Sequence, residues 1–489
     1  MNIKQAKTLG ELKAQNYIPK NIKQEIKDNL IHHIKNKTNV FYDIFGYEET
    51  VIPDIEKALL AKHNILLLGL RGQAKTRLAR NIIRLLDDAI PVIKGSEIND
   101  NPFNPISHYG KKMIAEYGDE CPINWISAED RYVEKLATPD VSVSDLIGDL
   151  DPIKAVNEKL SYSDEQAIHF GLVPRSHRSV FVLNELPDLQ PRIQVALFNI
   201  LEEGDIQIRG FKLRLPLDIL FIFTANPEDY TNRGSIITPL KDRIESQITT
   251  HYPDEIEISK MITKSEAKVD AELLSKIHMP ELAEDLLEYI AFNARESEYI
   301  DESSGVSARM TIAARELLFG AAERRLLLNK EDSTSIRFSD FWSIIPAITG
   351  KVELLYEGEN LGPHEVALNI MSDAVKELFL DYFPSPNKKL PQKYQDLYAA
   401  IKSWFETGNT IELKNDETNE QRTKNLKSVK GLSKFHSYHS FDSRDHEFIK
   451  ELTLHALTEF ELISKEIIRG KIMFKDPLAG MLDDLDAED

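Results

Sequence analysis

The stretch from Asn64 to Leu86 constrains this chain more than any other. An apolar run (NILLL), a turn with glycines (GLRGQAKT) and a helical run (RLARNIIRLL) follow one another without a gap. A short apolar run closed by turn residues reads as a buried strand. A glycine-bearing turn between a strand and a helix aims backbone N–H groups and the positive end of the helix dipole at one point, which suits a phosphate group. Gly69, Gly72, Gln73, Ala74, Lys75, Thr76 and Arg77 stand in or beside that turn. Lys75 has the reach for the outer phosphates of a nucleotide, and Thr76 offers a hydroxyl to Mg²⁺. Ala74 occupies the place of the second glycine of the general pattern. The loop therefore depends on backbone angles there that an L-residue tolerates.

Further along, Ser179–Leu183 (SVFVL) and Asp218–Thr224 (DILFIFT) are short, apolar on both faces and closed by polar turns. That is the pattern of a parallel sheet covered by helices on both sides. The first run ends in Asn184-Glu185 and the second in Ala225-Asn226-Pro227-Glu228. Glu185, a carboxylate at a strand end, suits a general base for an attacking water. Asn184 can bond to a metal-bound water but brings no negative charge. Asn184→Asp is accordingly expected to lower the Mg²⁺ concentration needed for half-maximal activity. Asn226 closes a neighbouring strand and is placed to sense a γ-phosphate or the water.

The chain has 489 residues, 42% of them hydrophobic, with a net charge of −20 and a single cysteine, Cys121. That is enough apolar material for two or more cores. It rules out an intramolecular disulfide and a cysteine-built zinc site, and Cys121 is expected to face a core or an interface. The negative balance speaks against non-specific nucleic-acid binding. No apolar run is long enough to span a bilayer, no secretory leader is visible, and a cytoplasmic location is the expectation.

The pattern divides into a helical N-terminal extension (1–40), an α/β nucleotide-binding domain (41–252), a helical lid (253–351) and a mostly helical C-terminal region (352–489). Long helices are expected over Ser307–Leu328 and about Pro363–Phe383. Residues 384–445 read as linkers around a short helix, Gln392–Phe405, and a last helix runs from about Asp445 to Ile468. The final DDLDAED reads as a solvated acidic tail. His436, His439 and His446 fit no metal-binding template.

Taken in order, GLRGQAKT, VFVLNELPDL, QVALFNILEEGDIQIRG, FTANPED and LKDRIESQI resemble the AAA+ ATPases, and in particular the magnesium chelatase ATPase subunit and its MoxR relatives. The resemblance covers roughly residues 40–350. It implies a P-loop AAA+ parallel-sheet core with a helical lid, and it accommodates Ala74, since that group often has alanine there. It reads GDIQIRGFKLRLP as a β-hairpin and VSVSDLIGDLDPIKA…HFGLVPRSHRS as an insert before the acidic strand. It further implies ATP and Mg²⁺ as cofactors, Asn226 as first sensor, Arg243 as an arginine finger serving a neighbouring subunit, and Arg309 as second sensor. Ile44, Phe45 and Gly46 match the segment that packs on adenine.

By the same resemblance the assembly is a ring, hexameric in the family, acting on a von Willebrand factor A domain protein or a chelatase-type subunit. The expected function is Mg-dependent ATP hydrolysis coupled to remodelling of, or metal insertion into, that partner. Asn184 keeps open an ATP-binding regulatory or scaffold protein with little hydrolysis. Fold and motif do not choose between tetrapyrrole metallation and a MoxR-like chaperone role.

Overall fold

The computed structural model describes residues 6–157, 167–207, 214–227, 235–388, 397–436, 438–468 and 470–477. The chain divides into two compact units between His251 and Tyr252.

The first unit is built on five parallel strands: β1 (Ile65–Leu68), β2 (Tyr132–Leu136), β3 (Ser179–Asn184), β4 (Ile219–Ala225) and β5 (Ser246–Thr249), in the order β5-β1-β4-β3-β2. The three strands read from hydrophobicity are β1, β3 and β4, each within a residue of its expected bounds. The sheet is apolar on both faces because alternate side chains enter two separate cores. Ile65, Leu67, Val180, Val182, Leu220 and Ile222 face one side, where they pack with Leu78, Ala79 and Ile82. Leu66, Phe181, Leu183, Phe221 and Phe223 face the other. Three helices belong to the first core: α1 (Ile22–Lys35), α2 (Val51–Leu60) and α3 (Lys75–Asn81).

Chain order and sheet order part company around β1. After β1 the chain crosses to the far edge to form β2, returns through β3 and β4, and ends in β5 on the other side of β1. Loops leaving the carboxyl ends of strands diverge at such a reversal and open a crevice there. The opposite end of the sheet is closed by polar contacts. The Ile22 N–H at the start of α1 donates to Asp218 Oδ2 at 2.9 Å, and the Asp218 N–H donates to His177 Nδ1 at 2.9 Å. Arg131 and Glu25, both buried, form a two-pronged ion pair at 2.6 and 2.7 Å.

An antiparallel pair, Ala89–Ile93 with Ile123–Ser127, is inserted between α3 and β2. Cys121 lies at its base, fully buried with Leu9 and Ile93, and burial pushes its thiol pKa up. Of the expected hairpin, Asp205–Gln207 and Arg214–Pro216 pair antiparallel, while residues 208–213 lie outside the described residues. Glu228 and the acidic tail lie outside them too.

The second unit has one continuous apolar core running from Ile277 to Phe474. Helices α5 (Glu281–Glu296), α6 (Arg309–Asn329), α7 (Pro363–Tyr382) and α8 (His446–Glu459) contribute to it, α4 being the short helix Thr238–Asp242 of the first unit. The expected last helix to Ile468 is corrected: α8 stops at Glu459. The next residues form β7 (Ser464–Ile468) and β8 (Lys471–Lys475), with Gly470 at φ +76° between them. A further strand, β6 (Ile411–Lys414), pairs with β8 and lies inside the stretch read as linker. Its alternation is I-E-L-K, with Ile411 and Leu413 buried. So few residues leave the period too short to register in a polar neighbourhood.

Candidate functional site

β1 delivers the phosphate loop to the carboxyl edge of the sheet. The Gly69 N–H donates to the Ala225 carbonyl of β4 at 3.2 Å, so the loop leaves the sheet directly beside the end of that strand. A Cβ at Gly69 would lie 1.9 Å from Thr250 Oγ1 and 2.3 Å from Gln73 Oε1, so any larger residue would have to displace both side chains. Thr250 donates to Gln73 Oε1 at 2.7 Å, and the Tyr47 hydroxyl sits 3.0 Å from the Gln73 carbonyl and 2.7 Å from that of His251. The loop is thereby pinned by residues after β5 and before α2, which sequence reading did not single out. Gly72 has φ +76°.

Ala74 stands in the backbone conformation a glycine would favour. Its angles, φ 55° and ψ 17°, are left-handed, not those an L-residue favours. The methyl is held in a conformation that costs it about 1–2 kcal/mol and would cost glycine little. Lys75, mostly buried, turns its ammonium back onto the loop, donating to the Gly69 carbonyl and, at 2.9 Å, to that of Leu70. Thr76 follows in the first turn of α3 and is half-buried.

The adenine-packing candidates lie in a segment tied to the same helix. Ile44 is buried, Phe45 is half-buried and Gly46 has φ +82°. Between them and α3, Asp43 accepts from Arg84 at 2.9 Å, Asn81 at 2.7 Å and Arg77 at 3.3 Å. The Arg84 guanidinium and the Asn81 amide hold the Asp43 carboxyl down at about 2. Arg77 is thus engaged with Asp43.

Asn184 ends β3 and Glu185 follows it, and Asn226 follows β4, buried. β4 lies between β1 and β3, so these residues and the phosphate loop share one edge of the sheet. Thr224 of β4 joins the strand ends. Its hydroxyl donates to Asn184 Oδ1 at 3.1 Å and accepts from the Glu185 N–H at 3.1 Å. Glu185 itself adopts φ 55°, ψ 52°, a left-handed turn of the kind that collects at functional sites.

The other side of the Asn184 amide holds a residue that sequence reading missed. Asn184 Nδ2 donates to Glu134 Oε1 of β2 at 2.6 Å. Arg80 of α3 donates to Glu134 Oε2 at 2.9 Å, and the Tyr132 hydroxyl does so at 3.1 Å. Burial, then the Glu134 charge, push the Tyr132 pKa up.

Arg243, at the end of α4, donates to Glu202 at 2.7 Å and to the Pro239 carbonyl at 2.8 Å, and stacks over Phe198 at 4.9 Å. Arg309 opens α6 in the second unit. It is exposed and makes no ion pair among the described residues. Farther along the helix, Arg315, Arg324 and Arg325 are bound to Glu284, Asp416 and Asp340. Among the described residues no group of three or more His, Cys, Asp or Glu could hold a metal ion, and no helix is long and apolar enough to cross a membrane.

Residues 110–244 match the family described as AAA domain (dynein-related subfamily). Over 250 residues the chain is 22% identical to a magnesium-chelatase subunit ChlI homolog of Methanocaldococcus jannaschii, covering 46% of this chain and 64% of that protein. It thus spans a little under two thirds of that relative. Solved structures it is similar to include NtrX of Brucella abortus in complex with ADP, at 12% identity, 65% of this chain, 59% of that one and TM-score 0.34. Another comes from the complex between subunits BchI and BchD of magnesium chelatase, at 18% identity, 65% of this chain, 97% of that one and TM-score 0.32. The AAA domain matched over residues 110–244, the likeness to the chelatase subunit and the parallel sheet in the order β5-β1-β4-β3-β2 support an AAA+ ATPase of the magnesium chelatase ATPase subunit and MoxR group.

Proposed function

We propose that this protein is a Mg-dependent ATP hydrolase that works as a ring oligomer in the cytoplasm and couples nucleotide turnover to remodelling of, or metal insertion into, a partner protein. The observation that carries the reading is the shared carboxyl edge of β1, β4 and β3, where Lys75 and Thr76, Asn226, and Asn184 with Glu185 come together. The loop fits a polyphosphate. Gly69 lets Thr250 and Gln73 close over the strand exit, and the Lys75 ammonium rests on carbonyls that a phosphate oxygen would outcompete for a cation.

The donors near it fit Mg²⁺, which takes hard oxygen ligands and one or two carboxylates while keeping several waters. Thr76 and, through a metal-bound water, Asn184 would hold the ion, which when bound would neutralise charge on the phosphates. Glu185 orients and deprotonates the attacking water; Asn226 holds that water or the γ-phosphate. Gln73, Ala74 and Arg77 shape the loop, and Ile44, Phe45 and Gly46 line the base. Arg243 serves the neighbouring subunit, and Arg309 is the nucleotide-sensing arginine of the second unit. The client is a chelatase-type subunit or a protein with a von Willebrand factor A domain.

Steady-state ATPase measurements on wild type and Glu185→Gln test the reading. Loss of a general base is expected to lower kcat by about 10²–10⁴-fold while nucleotide affinity stays. A second reading, an ATP-binding scaffold, is favoured by the uncharged Asn184, whose amide is engaged on both sides. Wild-type turnover no higher than that of Glu185→Gln would establish it.

A further inference from the structure

Position 184 puts an amide where nucleotide hydrolases of this build need an anion, yet a carboxylate lies in direct contact with that amide. Asn184 and Glu134 project from adjacent parallel strands onto the same face of the sheet: Val180 and Val182 precede Asn184 on that face, as Tyr132 precedes Glu134, and all three pack into the core that includes α3. The orientation of the Asn184 amide is fixed chemically. A carboxylate can only accept, so the group 2.6 Å from Glu134 Oε1 is the NH₂, and the amide oxygen faces the Thr224 hydroxyl. Arg80, which holds the other carboxylate oxygen, lies one helical turn after Thr76 on the same face of α3. Glu134 is therefore bracketed by both elements that supply the metal-binding candidates: Thr76 by way of α3, and Asn184 by direct contact. Its side chain is 26% exposed, and among the described residues Oε1 has one hydrogen-bond partner, which leaves acceptor capacity free.

We propose that Glu134 supplies the negative charge of the magnesium site that position 184 lacks, with Asn184 positioning it. The proposal rests on the reading of the site as one for Mg-nucleotide. The contacts are otherwise hard to account for. An ion pair between Glu134 and an Arg80 that is 61% exposed adds little to stability, whereas an amide spanning from Thr224 to Glu134 ties the carboxylate to the strand ends beside the phosphate loop.

A charge swap tests it. Binding of a fluorescent ATP analogue is measured on the full chain, first with EDTA and then with increasing MgCl₂. In wild type Mg²⁺ is expected to tighten binding. In Glu134→Gln the metal-free affinity stays, and the Mg²⁺ enhancement falls by about tenfold or more, the range seen when a supporting ligand of a metal is lost. In the double variant Glu134→Gln/Asn184→Asp, which moves the carboxylate one strand across, the enhancement returns. Arg80→Ala, which frees the carboxylate without removing it, keeps the enhancement. A wild-type response in Glu134→Gln, or no recovery in the double variant, overturns the proposal while leaving nucleotide binding intact. Absence of binding in wild type would instead overturn the functional reading beneath it. Should Glu134→Gln not fold, Glu134→Asp decides: the charge stays but its reach shortens, so a weakened Mg²⁺ response supports the proposal and an unchanged one overturns it.

Discussion

At the sheet end away from the phosphate loop, His177 and Asp218 titrate in opposite senses, and their balance can be measured. Burial, with the Arg178 charge, pulls His177 down to about 4. Burial pushes Asp218 up to about 6, against the Ile22 N–H bond and the Arg178 charge. His177 folds neutral, so its contribution is present above its unfolded value of roughly 6.5 and is lost as pH falls towards 4. Below about pH 6 Asp218 folds protonated, so its contribution is present below an unfolded value of roughly 3.9 and is lost as pH rises through 6. Each displacement is worth about 3 kcal/mol at roughly 1.4 kcal/mol per pH unit. Between pH 4 and 6 one slope is positive and the other negative, and from this pair the wild-type unit is nearly indifferent to pH. His177→Asn keeps an acceptor for the Asp218 N–H and leaves Asp218 alone; stability should then fall by about 1.4 kcal/mol per unit as pH rises. Asp218→Asn keeps an acceptor for Ile22 and leaves His177 alone; stability should rise by the same amount. Trp125 belongs to the first unit and Trp342 and Trp404 to the second. Urea unfolding followed by Trp125 fluorescence, with the other two replaced by Phe, reads the correct unit. Slopes of the same sign in the two variants would refute the reasoning.

Two further outcomes concern the site. Gly69→Ala drives a methyl into Thr250 Oγ1 and Gln73 Oε1 and breaks the contact that pins the loop. It should cost the first unit about 1–3 kcal/mol and abolish nucleotide binding, both read by calorimetry; retained affinity would show that the loop relaxes around the methyl. Arg243→Ala should lower turnover by roughly 10³-fold with nucleotide affinity unchanged. Mixed with Glu185→Gln it should recover activity, because one subunit brings the intact base and the other the finger, so no recovery would place Arg243 outside the neighbour's site.

The central strands and the phosphate loop were legible because their signals are local. An apolar run, a glycine-bearing turn and a polar strand end each lie within a few consecutive residues, and β1, β3 and β4 fall where those signals put them. β2 and β5 carry the same sheet but read Y-V-E-K-L and S-Q-I-T, mixed patterns that edge strands permit because one side is unpaired. The hairpin of β7 and β8 was hidden by α8, because Leu462, Ile463, Ile467 and Ile468 carry its apolar period on past its end. The reach of Tyr47 and Thr250 to the loop is a property of packing, and no spacing encodes it.

Asn184 shows how far a motif can mislead when its partner is remote. Read along the chain, it is a lost charge, and Asn184→Asp is the natural repair. Across the sheet, Leu136 of β2 pairs with Asn184 of β3, which sets Glu134 beside the amide although the two are 50 residues apart. An aspartate at 184 would stand against that carboxylate with no donor between them. Two like charges in contact force one to take up a proton or be separated by a cation. The single substitution therefore changes the repulsion in the site as well as its charge, and the expected simple gain in Mg²⁺ affinity no longer follows. Only removing the Glu134 charge at the same time returns the site to one anion, which is why the double variant, and not the single repair, isolates what position 184 contributes.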